Sequence, residues 1–142
     1  MESIQTEERK VTFMNLITIG YYNEMPHGNP TDPSIKDCIG KEDRSLVSKI
    51  SAYLSSGIPL AVAPGIVNDV IDPDKGIAGT PTAYTDGTWV WPGDLAYYVT
   101  NYRLKLPDEF TGTMQNNNWT IPIKLEDIDF DSLTINGKPL FS

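Results

Sequence analysis

The spacing of apolar residues predicts a first helix over residues 43–56. The stripe, which recurs every three or four residues as one side of an α-helix requires, consists of Leu46, Val47, Ile50, Tyr53 and Leu54. Asp43 stands before the stripe as a typical N-cap residue, and Gly57 follows it as a typical stop. A helix is therefore expected here, with its apolar side packed against a core.

A second stripe predicts a helix over residues 92–103. It consists of Leu95, Tyr98, Val99 and Tyr102. Pro92 suits the first helical position because its missing N–H has no partner there, and Asp94 in the first turn would favour the helix dipole. Pro107-Asp108-Glu109 repeats this start signal, and Phe110 and Met114 pair at i, i+4 on a shorter third helix.

The dipeptide Asp86-Gly87 predicts a hairpin turn between two short strands. The flanking segments, residues 82–84 and 88–91, are rich in residues that favour strands. Because side chains alternate across a strand, Trp89 and Trp91 should share one face and Val90 should take the other.

Further strands are expected at residues 58–63, 66–71, 119–123 and 133–135, with a last turn at Asn136-Gly137. Residues 11–20 fit a buried strand and a short helix equally well. Residues 1–10 are charged and expected to be frayed. The pattern predicts a single α+β domain over residues 1–142, with a small antiparallel sheet packed against two or three helices.

Composition places the chain among ordinary globular proteins, with 39% hydrophobic and 21% charged residues. Cys38 is the one cysteine, which excludes an internal disulfide and suits a reducing cytoplasm. The charged first ten residues do not fit a signal peptide, and no apolar run reaches the length of a membrane span. We therefore expect a cytoplasmic protein.

The charge balance limits the class of partner. The chain carries 19 acidic and 11 basic residues, for a formal net charge of −8. Nucleic acids and anionic lipids repel such a surface, whereas a basic protein is attracted to it. We expect a protein partner and neither nucleic acid nor membrane, and the oligomeric state stays open.

Catalytic motifs are not found in the sequence. One histidine and one cysteine cannot supply a zinc site, and the glycines form no phosphate-binding loop. His27 lies in a proline-rich loop over residues 21–33 and is expected to be solvated. Cys38 follows a capping pattern, Ser34 to Asp37, and is expected to be a small buried apolar residue on a short turn that also buries Ile35 and Ile39. We expect no enzyme, no cofactor and no metal.

Two acidic clusters are candidates for contact with a basic partner. The first consists of Glu126, Asp127, Asp129 and Asp131. Ile128 and Phe130 alternate with these acids, which predicts a sheet edge with one solvated face. The second candidate is the pair Asp72 and Asp74.

An alternative interpretation concerns the aromatic residues. It groups Trp89, Trp91 and Tyr97 with Asp86 and Asp94 as a small-ligand or glycan-binding site, or as a hydrolase site built on carboxylates. The competing interpretation is that these aromatic residues form the core, since aromatic side chains dominate core energetics. Tyr97 is the best candidate for exposure because it lies off the helical stripe.

The segment over residues 85–99, continued by Tyr102 and residues 106–110, resembles a group of small, acidic, uncharacterised bacterial proteins. They share the pattern Asp-Gly-x-Trp-x-Trp-Pro-x-Asp-Leu-x-Tyr-Tyr, to which Tyr53-Leu-Ser-Ser-Gly57 and Asp69 also belong. The resemblance covers residues 45–115. In size, acidity and lack of a catalytic motif the chain is also similar to immunity proteins that neutralise secreted bacterial toxins. That similarity implies a non-enzymatic inhibitor of a basic toxin or nuclease.

Overall fold

The computed structural model describes residues 14–140 and places three α-helices and eight short strands in that range. The helices are α1 (Arg44–Ser55), α2 (Leu95–Tyr102) and α3 (Asp108–Asn116). The strands are β1 (Asn15–Thr18), β2 (Ile58–Ala61), β3 (Val67–Asn68), β4 (Ile77–Gly79), β5 (Ala83–Thr85), β6 (Trp89–Pro92), β7 (Thr134–Ile135) and β8 (Lys138–Pro139). The predicted α+β class is confirmed.

Six strands form one sheet in the order β2-β5-β6-β1-β7-β8. The hairpins β5–β6 and β7–β8 are antiparallel, as their short turns require. Strand β1 lies between them and runs parallel to both β6 and β7. The sheet is therefore mixed, whereas the sequence pattern predicted an antiparallel one. A parallel neighbour needs a long connection, and the chain between β1 and β6 contains α1 and four strands.

Strands β3 and β4 form a separate two-stranded sheet. The prediction that residues 66–71 join the main sheet is wrong. The strand ends at Asn68 because the carboxylate of Asp69 accepts the N–H groups of Ile71 (2.8 Å) and Asp72 (2.9 Å) and turns the chain. The small sheet contacts α2 through β4.

The main sheet separates two apolar clusters. The helices cover one face, whose largest buried side chains include Trp91, Tyr53, Tyr98 and Phe110. The other face packs against residues 121–133 and contains Leu16, Val90, Leu60, Ile128 and Leu133. The predicted alternation is confirmed, because Trp89 and Trp91 contact the helical cluster and Val90 belongs to the other.

The predicted positions of α1 and α3 are confirmed. Asp43 Oδ1 accepts the backbone N–H of Ser45 at 2.9 Å, which is the expected N-cap bond. Helix α2 begins at Leu95, three residues later than predicted, because Pro92 still belongs to β6 and pairs with Ala83. None of the helices within residues 14–140 has the length and apolar character needed to cross a membrane.

The acidic run does not form a sheet edge, and this prediction is wrong. Residues Leu125–Asp127 form a single 3-10 turn, and further turns follow at residues 130–132. The carboxylates stabilise these turns locally, since Asp127 accepts the N–H of Lys124 (3.0 Å) and Asp129 that of Asp131 (3.1 Å). Residues 119–123, also predicted as a strand, lie outside the sheet.

The structure tests only some of the predictions for the two ends of the chain. Residues 15–18 form β1, so the strand interpretation of residues 11–20 holds for the part that is described. Residues 11–13, and the segment 1–10 that was predicted to be frayed, lie outside the described residues. The last turn is confirmed, with Asn136 and Gly137 at φ 53° and 82° between β7 and β8.

Candidate protein-binding groove

Asp86 is a structural residue of the β5–β6 hairpin. Its side chain is buried, and Oδ1 accepts the N–H groups of Thr88 (2.9 Å) and Trp89 (2.8 Å). The hydroxyl of Tyr53 on α1 donates to Oδ2 at 2.6 Å. Burial raises the pKa of the Tyr53 hydroxyl, and the hydrogen bond to Asp86 raises it further. The carboxylate therefore joins α1 to the hairpin and does not face a ligand site.

Asp94 is bonded to His27 and does not cap α2 with its side chain. His27 Nε2 donates to Asp94 Oδ1 at 2.9 Å, and the carboxylate is completely buried. The imidazole is only 14% exposed, so the prediction of a solvated histidine is wrong. Among the described residues, neither Asp94 Oδ2 nor His27 Nδ1 has a hydrogen-bond partner. The pair fastens the loop over residues 21–33 to the start of α2.

Asp69 organises a tyrosine cluster on α2. Its Oδ2 accepts the hydroxyls of Tyr97 (2.8 Å) and Tyr102 (2.6 Å), while Oδ1 accepts two backbone N–H groups. Burial raises the pKa of the carboxyl, but the hydrogen bonds from Tyr102, Asp72 N–H, Tyr97 and Ile71 N–H lower it more, and the net shift is downward. Lys75 Nζ lies 4.7 Å from the centre of the Tyr102 ring.

This cluster predicts a specific acid sensitivity. A carboxyl whose pKa is lower in the folded state adds stability above its unfolded pKa, roughly 3.9, and loses it as the pH falls through the folded pKa. The melting temperature of the wild-type protein should therefore fall more steeply from about pH 5 to about pH 2 than that of Asp69→Asn. Asp74→Asn, at an exposed position in the same turn, is the control. Parallel curves for wild type and Asp69→Asn would contradict this role.

The five residues of the aromatic alternative do not share a pocket. Trp91 is 1% exposed, and its indole N–H donates to the carbonyl of Leu54 (3.2 Å). The hydroxyl of Tyr97 binds Asp69, while Asp86 and Asp94 make the buried contacts described above. Trp89 is partly exposed, as Tyr97 is, and it borders a groove.

That groove has a volume of about 340 Å³ and is called the Trp89 groove below. Besides Trp89 in β6, its lining comes from four segments: the end of β1, the loop around Tyr21 and Tyr22, the pair Asp32 and Pro33, and the start of α3. Trp89 keeps its position because its indole N–H donates to Thr113 Oγ1 (3.0 Å) and its ring packs 5.8 Å from that of Phe110.

The loop that forms one wall of the groove is closed at its base. Asn29 N–H donates to the carbonyl of Tyr21 (3.2 Å), and Asn23 N–H donates to that of Pro33 (3.2 Å). Tyr22 and Met25 are buried in the helical cluster. The opposite wall is the first turn of α3, where Pro107 is the N-cap residue and Glu109 follows. Both walls therefore rest on the core.

Gly28 should be essential for this loop. A Cβ at this position would lie 1.9 Å from the carbonyl oxygen of Tyr22, a contact that only a movement of the backbone can relieve. Gly28→Ala should therefore destabilise the protein and displace Tyr22 from the groove wall, as measured by thermal unfolding and by amide NMR shifts. Gly112→Ala is the matched control, because its Cβ meets nothing within 4 Å and alanine in helix α3 should add about 0.5–1 kcal/mol. Equal stabilities for the two variants would contradict the assignment.

The charged side chains that line the Trp89 groove are both acidic, Asp32 and Glu109. No hydrogen bond or ion pair joins either carboxylate to another side chain within residues 14–140. Burial and the nearby charge of Asp94 raise the pKa of Tyr21 to about 12. Burial, together with the nearby Cys38 and Asp32, raises that of Tyr22 as well. At neutral pH the two tyrosine hydroxyls are therefore uncharged. The formal charges in the groove are the negative ones of Asp32 and Glu109.

The acidic residues proposed from the sequence lie elsewhere. Glu126, Asp127, Asp129 and Asp131 lie in the segment that covers the opposite face of the sheet. Asp72 and Asp74 lie in the turn between β3 and β4. The structure therefore does not bring the two clusters together, and neither borders the groove.

The groove carboxylates were missed because they stand far apart in the chain. Glu109 was visible as part of a helix start, and Asp32 as part of a loop.

Within residues 14–140 no group of three or more histidine, cysteine, aspartate and glutamate side chains is placed to hold a metal ion. Comparison with known proteins supplies no relative, since no family model, no curated protein and no solved structure matches the chain.

Proposed function

We propose that this protein is a non-catalytic binding protein whose partner is a basic protein, and that the Trp89 groove receives a cationic segment of that partner. The observation that carries the proposal is the pairing of two acids, Asp32 and Glu109, with the aromatic side chain of Trp89 in one groove that has no basic lining residue. Tryptophan is the best aromatic partner for a cation. A carboxylate binds a guanidinium group through two parallel hydrogen bonds.

The net charge of −8 supports the same class of partner. A negative surface accelerates the approach of a basic protein and discourages acidic ones. Inhibition of a basic toxin or nuclease in the cytoplasm, the role of an immunity protein, is the biological setting that fits this chemistry. Such an inhibitor needs a complementary surface and no reaction centre.

The sheet edges favour a groove over strand addition as the binding mode. The edge strand β2 contains the exposed Pro59, and the other edge, β8, consists of the exposed Lys138 and Pro139. Proline cannot donate to a new strand, and charged residues discourage edge pairing. A partner that approaches either edge therefore finds few free donors.

Calorimetry with an acetylated peptide of alternating arginine and proline tests the proposal. The variant Asp32→Asn/Glu109→Gln should bind about tenfold more weakly, which is about 1.4 kcal/mol shared by two solvent-accessible ion pairs. Glu126→Gln/Asp131→Asn is the matched control, because it removes the same charge from exposed sites outside the groove and should bind like the wild type.

Two results would reject the groove. If the control variant alone loses affinity, the acidic run predicted from the sequence is the contact face. If both variants lose affinity equally, the peptide senses only net charge.

A further inference from the structure

We infer that the bound segment is extended and continues from the Trp89 groove into a second groove, with an arginine at Trp89 and an apolar residue in the second groove. The inference rests on the proposed function and names the form of the ligand at that site.

The second groove has a volume of about 320 Å³ and is called the Cys38 groove. It shares Tyr22, Pro33 and Pro107 with the Trp89 groove, so the two grooves adjoin each other. Beyond these three residues its lining includes Cys38, which is partly buried, and Leu106, which is fully buried. A ligand that leaves the Trp89 groove past the two prolines therefore meets an apolar surface.

The charges give the ligand a direction. In the Cys38 groove, Lys105 Nζ lies 3.0 Å from Asp108 Oδ1, so the positive and negative charges of this ion pair neutralise each other. In the Trp89 groove, Asp32 and Glu109 have no such partner among the described side chains. A cationic residue is therefore attracted to the Trp89 end, and the Cys38 end favours an apolar residue.

The shared residues indicate an extended ligand. Pro33 is exposed and Pro107 is partly exposed, so both offer ring surfaces beside the buried Tyr22, and neither proline has an N–H group for strand pairing. Surfaces of aromatic and proline rings suit extended, polyproline-type segments, which bind through side chains and need little ordering. A polyproline-type segment advances about 3.1 Å per residue, so each added residue shifts the contact by a defined step.

Disulfide tethering to Cys38 tests this arrangement, because Cys38 is the one cysteine in the chain and lines the second groove. Peptides would carry an arginine and an activated cysteine, with the spacer lengthened one residue at a time. Burial raises the pKa of the Cys38 thiol, so exchange is run in mildly alkaline buffer with a reversible thiol pool. The yield of mixed disulfide should peak at one spacing.

The controls separate the inference from the proposed function. Citrulline in place of arginine, or the variant Asp32→Asn/Glu109→Gln, should reduce the peak yield about tenfold. A second anchor, Asp108→Cys combined with Lys105→Gln in a Cys38→Ser background, removes both charges of the ion pair, uses a side chain that is 91% exposed and should give a peak at its own spacing. If the peptides bind in calorimetry but neither anchor shows a preferred spacing, the inference fails and the proposed function stands. If the peptides also fail to bind in calorimetry, both fail.

Discussion

Replacing Asp86 by alanine should lower the free energy of unfolding by about 3–5 kcal/mol, the cost typical of breaking a buried, hydrogen-bonded charged group. The change leaves the N–H groups of Thr88 and Trp89 and the hydroxyl of Tyr53 without their acceptor. Each buried donor that loses its partner costs about 1–3 kcal/mol. The hairpin turn and its link to α1 are lost together, which explains the size of the effect.

Urea unfolding measures this loss. Asp74→Ala is the matched control, because the same change at an exposed position should cost less than about 0.5 kcal/mol. Tyr53→Phe should cost less than Asp86→Ala, since it removes one of the three donors and leaves the turn intact. A loss at Asp86 no larger than at Asp74 would mean that the carboxylate does not support the hairpin.

Replacing Leu95 by alanine should cost about 2–5 kcal/mol, the range for truncation of a fully buried leucine. Leu95 has no exposed surface, and its terminal methyl groups lie against Gly20, where an added Cβ would be 2.7 Å from Leu95 Cδ2. The cavity would open between α2 and the chain that leads into Tyr21. We therefore expect Leu95→Ala to weaken peptide binding as well as stability.

Leu125→Ala is the control for this change, because Leu125 is 54% exposed and the same truncation there should cost little. Thermal and urea unfolding of both variants give the comparison. Tyr98→Ala should fall in the same range as Leu95→Ala, since Tyr98 is also fully buried on the apolar side of α2. Losses within experimental error at both positions would show that α2 packs through another face.

The helices could be predicted because their signals are local. The apolar stripes and the N-cap at Asp43 lie within one or two turns of the positions they determine. The start of α2 could not be predicted, because Pro92 fits a helix-start pattern but is paired with Ala83 in the β5–β6 ladder. The ladder continues past it, with Gly93 N–H bonded to the carbonyl of Thr82 at 2.8 Å.

The sheet order and the groove depend on contacts that sequence patterns do not encode. Strand β1 pairs with β6 and β7, and His27 binds an acid 67 residues away. Asp32 and Glu109 become neighbours of Trp89 only through this topology. The acidic run is a candidate contact face in the sequence because its acids are adjacent in the chain. In the structure, Asp127 and Asp129 each accept a backbone N–H group and stabilise a local turn.

The central claim, that the Trp89 groove binds a cationic segment, is tested most directly by NMR. The chain has three tryptophans, and each gives one indole N–H signal, with that of Trp89 assigned by Trp89→Phe. On titration with the arginine–proline peptide, the Trp89 indole and the backbone amides of Tyr21 and Tyr22 should shift, while the Trp91 indole, which is buried against Leu54, stays in place. The citrulline peptide should leave all of these signals unchanged. Shifts centred on residues 126–131, or equal shifts with the citrulline peptide, would contradict the claim.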